Sequence, residues 1–211
     1  MTNAQYGRLT LGLIAAWLAF SLTASALHLY VAKPSQPPLP ILLAVVVPLA
    51  AFFVWMGTSP GFRRFVLSLD PRVLTLVHAW RLGGFAFLTL YTYGILPGLF
   101  ALPAGLGDMA IGATAPFIAL GFMGGSHRKA FLRWQALGIL DLVVAVSLGG
   151  LTSFFAPAGP RPFAMAVLPL SLIPTFAVPL LLILHIICIA QARSWKEGSY
   201  SAARPSLFPA M

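Results

Sequence analysis

Six apolar stretches, each closed off by proline, glycine or basic residues, run through this sequence near Leu9–Tyr30, Leu39–Gly57, Arg72–Leu96, Pro103–Met123, Lys129–Leu151 and Pro169–Ala192. An α-helix needs about 20 such residues to cross a hydrocarbon core. Only 8% of the residues are charged, against about 25% in soluble domains. That is too few to cover a wet surface, so lipid has to be the solvent for most of the chain. The expected fold is all-α: a polytopic integral membrane protein, one bundle of six transmembrane helices over residues 1–196, followed by a flexible cytoplasmic tail over 197–211.

The breaks between the stretches have physical causes. Pro34, Pro37, Pro38 and Pro40 separate the first two spans, and Pro157, Gly159, Pro160 and Pro162 follow the fifth. Asp70-Pro71 is a good helix start, with an acid as N-cap and proline at the first helical position. Gly61–Leu69 reads as a short interfacial helix with Phe62, Phe65 and Val66 on lipid beside Arg63 and Arg64. Pro169, Pro174 and Pro179 interrupt the last stretch, so the sixth span is expected to be kinked or broken near Leu170–Pro174. Arg8 followed by an apolar run and Ala24-Ser25-Ala26 resembles a signal peptide. The run is longer than the usual h-region of about 7–15 residues, and it is read as a retained first helix.

Formal net charge is +9. In a soluble protein that would suggest nucleic acid. Here the basic residues sit in short loops, which points to membrane orientation and away from phosphate-backbone binding. Arg8, Arg63, Arg64, Arg72, Arg128, Lys129, Arg133, Arg193, Lys196 and Arg204 share one side, and Lys33 and Arg161 the other. The positive-inside rule then puts both termini in the cytoplasm, in a bacterial-type inner membrane. Cys188 is the single cysteine, which excludes an intrachain disulfide.

Ionisable groups within a bilayer are costly and mark candidate sites. Counting from the last cytoplasmic charge of each helix at about 1.5 Å per residue, His78 lies about 9 Å in, Arg81 about 13 Å, and Asp141 and His185 about 12 Å. Three helices thus put four polar groups at one level. Pairing Arg81 with Asp141 removes most of the cost of burying either, and His78 shares a face with Arg81. Gly138 and Ala145 give the Asp141 face small neighbours suited to helix packing. Such a pair can also serve only to fix helix register. Asp108, near the expected outer start of the fourth span, reads as an N-cap or as an outer vestibule acid. Thr75, Thr89 and Thr92 are candidates to line a polar path, or to bond their own preceding turns. Trp55, Trp134 and Trp195 fall where an aromatic belt would lie.

The expected function is binding or transport of a small polar or anionic ligand, with Arg81 as its anchor, Asp141 as counter-ion and His78 or His185 as neighbours; Asp108 and Thr92 are secondary candidates. One alternative is an accessory subunit packing small-residue faces (Ala15, Ala16 and Ala19, or Gly121 and Gly124) on a membrane partner or a second copy. Another is a b-type haem held by His78 and His185, with Gly83-Gly84 opening space; the bulk of Leu181, Leu182, Ile186 and Ile189 counts against it. No other cofactor is called for. His185 and Cys188 are too few to specify a metal. No P-loop, H-E-x-x-H, G-x-S-x-G or C-x-x-C occurs, so nothing singles out an enzyme.

Overall fold

Capping sets where the helices begin. Thr2 accepts from the Gln5 amide while the Gln5 side chain accepts from the Thr2 amide, a reciprocal cap that starts α1 at Asn3, ahead of the apolar run. The computed structural model describes residues 1–32, 36–155 and 162–195. Lys33, Pro34, Pro157, Gly159, Pro160, Arg161, Lys196, Arg204 and the expected tail over 197–211 lie outside the described residues.

The described chain is helical and has six helices long and apolar enough to cross a membrane. The first two are α1 (Asn3–Ala26) and α2 (Leu39–Thr58). A short α3 (Pro60–Leu67) follows. The third span, Pro71–Thr92, is composite: α4 (Pro71–Val77), a 3-10 stretch (His78–Gly84) and α5 (Phe85–Thr92). Then come α6 (Gly98–Gly121) and α7 (Arg128–Phe155). The sixth span, Ile173–Ala192, opens with one π-helical turn (Ile173–Ala177) and continues as α8 (Val178–Ala192). Helix α6 packs against the whole third span and against α7, while α8 packs on α2, α4 and α7.

Three expectations change. Helix α6 starts at Gly98, with Pro97 as N-cap and Pro103 inside the helix, where the proline leaves the Leu99 carbonyl without its helical donor. The fourth span therefore begins five residues ahead of the expected start at Pro103. Second, Phe62, Phe65 and Val66 of α3 are buried in a cluster with Tyr6, Phe52 and Phe131, and Phe62 stacks on Trp55 with centroids 3.7 Å apart. They face protein where a lipid-facing surface was expected. Third, Thr92 is exposed and its hydroxyl donates to the Thr89 carbonyl at 2.7 Å. Thr89 likewise donates to Phe85, so neither lines a buried path.

The π turn has a clear backbone logic. Pro179 has no amide proton, which leaves the carbonyl four residues earlier, Thr175, without its helical donor. Helix α1 supplies replacements: Trp17 Nε1 donates to the Thr175 carbonyl at 3.2 Å and Ser21 Oγ at 3.4 Å. Ser171 Oγ donates to Ser25 Oγ at 2.8 Å. A proline-made gap thereby becomes the polar seam that holds α1.

Candidate functional site

The 3-10 stretch is what aims the site. At three residues per turn, positions three apart eclipse one another, whereas in an α-helix they drift by about 60° per step. Thr75 stands at the end of α4, and His78, Arg81 and Gly84 follow at that spacing; all four are buried. Runs of this conformation longer than about 3–4 residues are uncommon. Close approach of α6 accompanies this one: a Cβ at Gly112 would lie 2.5 Å from the Leu82 amide nitrogen and 2.9 Å from the Arg81 carbonyl carbon.

Arg81 is the hub. Its Nε donates to Asp108 Oδ1 at 2.6 Å, and its Nη2 donates to Asp141 Oδ2. Its Nη1 donates to the Gly138 carbonyl at 3.3 Å and meets His185 Nε2 at 3.4 Å. All three guanidinium nitrogens are engaged, and the Arg81 side chain is 1% exposed. Asp108 stands ten residues into α6, so it does not cap the helix. It is the second acid of the cluster.

On the other side of Arg81 the hydrogen bonds have a fixed polarity. The Gln135 carbonyl oxygen can only accept, so the 2.5 Å contact places the proton on His185 Nδ1. His185 Nε2 then offers its lone pair to Arg81 Nη1. Gln135 Nε2 donates to Thr75 Oγ1 at 3.4 Å, and Thr75 Oγ1 lies 3.9 Å from Cys188 Sγ. His185, Gln135, Thr75 and Cys188 are all 0% exposed. Gly138 gives α8 its place here, because a Cβ there would occupy the His185 ring.

His78 and His185 stack with ring centroids 3.7 Å apart and planes 22° from parallel. Neither ring nitrogen of His78 has a hydrogen-bond partner among the described residues. Trp134, expected in an interfacial belt, is instead buried; its indole donates to Thr114 Oγ1 at 2.8 Å and its ring borders both histidines. Bis-histidine ligation sets a macrocycle between two imidazoles, and rings in direct contact leave no slot for one. Gly84, expected to open such space, lies against Asp108 and the Gly105 carbonyl. Among the described residues no group of three or more His, Cys, Asp or Glu is placed to hold a metal ion.

The structure thus brings Arg81, Asp141, His78 and His185 into one cluster, adds Asp108 to its centre and leaves Thr92 outside. Two carboxylates face one guanidinium, one acid more than a single ion pair needs. Both acid side chains are 16% exposed. Asp108 also lines a cavity of about 70 Å³ between the start of α2, the second half of α7 and residues 165–178, whose lining is otherwise apolar. Sequence reasoning missed Gln135 and the site role of Trp134, since it weighed ionisable groups and threonines; Thr75, one of its polar-path candidates, lies in the cluster. Gln135, Gly138 and Asp141 recur at helical spacing on α7, and that was the available signal.

No curated protein and no solved structure matches the chain significantly. The family model described as Domain of unknown function (DUF8737) matches residues 37–193, which include every residue of this polar cluster, and the chain belongs to that family.

Proposed function

We propose that the chain is a small multi-pass protein of a bacterial-type inner membrane, with both termini cytoplasmic, that binds or transports a small polar ligand at the Arg81–Asp108–Asp141 layer. The imbalance of charge carries this reading. A bond that only fixes helix register needs one acid for one base. Here a buried guanidinium has two, and the second acid is costly to keep ionised at such depth unless a cationic group arrives to offset it. A ligand that brings a positive group completes the cluster. An anion finds every nitrogen of Arg81 already engaged, so the geometry favours a cationic ligand over the anionic one that the sequence suggests.

The ten-to-two distribution of basic residues between the two ends of the spans supports the orientation. The two amide donors removed by Pro174 and Pro179 support a bend in the sixth span beside the site. Orientation is tested with Thr2→Cys and Gln36→Cys in intact cells: a membrane-impermeant maleimide should label position 36 and spare position 2, and the reverse pattern overturns it.

Binding is tested on protein in nanodiscs with a panel of small ammonium ions, amino acids and carboxylates. At least one compound should raise the unfolding temperature saturably, and Asp108→Asn should remove the effect. A panel without any saturable shift, or shifts that survive Asp108→Asn, would sink the proposal.

A further inference from the structure

The cavity beside Asp108 specifies more than charge. Phe87, Phe100, Leu142, Val146, Met165 and Val178 supply hydrocarbon around the Asp108 carboxylate, the one ionisable group among the described residues of the lining. An apolar pocket with one polar group fixes a ligand's orientation through that group and takes the rest of its surface from water. The carboxylate is one of two acids on a single guanidinium, so the complementary head is a cation. One water needs about 10–15 Å³ of such space, so a cavity of about 70 Å³ has room for a narrow chain several heavy atoms long.

We infer that the site takes an amphiphilic amine: a protonated primary or secondary amine on Asp108 with a slim alkyl or arylalkyl tail between α2, α7 and residues 165–178. This rests on the binding reading above and adds the ligand's class. The head donates N–H bonds to Asp108 and brings the cluster to neutrality, with Arg81 keeping both acids in place. The tail packs along the apolar wall. On the far side of Arg81 the layer offers no continuation for the ligand, because His185, Gln135, Thr75 and Cys188 are packed together and inaccessible. The amine is therefore held at the floor of a one-ended pocket. A free amine and an aminophospholipid headgroup share this chemistry, and the narrow cavity favours the free amine.

The experiment uses full-length protein in phosphatidylcholine nanodiscs and equilibrium dialysis of labelled n-hexylamine, methylamine and hexanoate. Hexylammonium should bind saturably at one per chain. Methylammonium should bind about tenfold or more weakly, since several buried methylenes at about 0.8 kcal/mol each exceed one decade in affinity. Asp108→Asn should weaken hexylammonium by about tenfold or more, the scale of a lost charge-assisted hydrogen bond. Val146→Trp, which fills the cavity, should weaken hexylammonium and spare methylammonium. Phosphatidylethanolamine nanodiscs should leave the affinity unchanged.

Hexanoate binding equal to hexylammonium, or an affinity indifferent to Asp108→Asn, overturns the inference. Loss of hexylammonium binding in phosphatidylethanolamine assigns the site to lipid headgroups and overturns the free amine. Methylammonium binding as tightly as hexylammonium, and still dependent on Asp108, removes the tail and leaves the binding reading standing. Absence of any Asp108-dependent binding removes both.

Discussion

Arg81 separates two regions built on opposite rules. Toward the end of the bundle that holds Tyr6, Phe62, Phe131 and Ala192, its neighbours His185, Gln135, Thr75 and Cys188 are closed to solvent and linked by contacts of one polarity. Toward the other end, Asp108 and Asp141 keep 16% of their side-chain surface, and one of them borders an apolar cavity. A sealed, hydrogen-bonded side gives rigidity; the open side, with one acid more than Arg81 needs, is where we propose that the ligand binds. His78 is a discord on the sealed side, since neither of its nitrogens has a hydrogen-bond partner among the described residues and its ring rests on His185 and Trp134. The difference implies that substitutions on the sealed side act on stability, and those on the open side act on ligand.

Removing the divider should be the most damaging change. Arg81→Met leaves two buried carboxylates facing each other with no cation, and breaking a buried pair in this way costs about 3–5 kcal/mol. The Asp108→Asn, Asp141→Asn double variant should cost a similar amount by orphaning the guanidinium. Unfolding by SDS titration in mixed micelles measures both. Near-native stability in either would mean that water already reaches Arg81, and the sealed side would lose its meaning.

Glycine positions test the close approach on which the 3-10 stretch depends. Gly112→Ala places a methyl against backbone atoms of Arg81 and Leu82, which cannot rotate away, and overpacking of this kind costs about 1–3 kcal/mol. Gly83→Ala meets nothing within 4 Å and should be neutral in the same titration. Equal effects at the two positions would show that α6 does not hold the stretch.

Most of the frame can be read in the sequence, because hydropathy and proline act locally. All six spans fall close to the helices that the structure describes. What escaped the reading depends on contacts between distant elements. A periodicity argument assumes α-helix, so nothing in His78–Gly84 announces a three-residue turn; the conformation comes with the α6 glycines packed against it. Asp108 was misjudged through its helix start: Pro103 looked like the first turn, and with Gly98 as the true beginning the acid moves to mid-helix. Depth counting placed Arg81, Asp141 and His185 at one level because helix rise is constant. It could not reveal that Gln135 receives the His185 proton, since a neutral amide raises no alarm in a search for charge.

Gln135→Leu probes the sealed side without touching charge. The His185 Nδ1 proton loses its acceptor, and an orphaned buried donor costs about 1–3 kcal/mol. Gln135→Glu keeps an acceptor in place and should recover part of that loss, although it adds a buried charge. With hexylammonium as the probe, neither variant should change affinity by more than about twofold once folded protein is compared, well under the tenfold step of about 1.4 kcal/mol. A large change in affinity with little change in stability would merge the two regions into one.

The smallest effect on stability is expected at the most informative position. Asp108→Asn removes the surplus negative charge, keeps a carbonyl oxygen to accept from Arg81 Nε and leaves Arg81 and Asp141 matched one to one. The lost strength of that hydrogen bond and the relief of unmatched charge act in opposite directions, so unfolding should shift by less than about 1 kcal/mol, the scale of a net hydrogen bond. Asp141→Asn should behave alike, with Asp108 taking over the pairing. The two single changes and the double then form a cycle whose coupling exceeds about 2 kcal/mol, within the range seen for residues of one network. Additive singles would mean that each acid answers to a separate partner, and the surplus charge that gives the open side its role would not exist.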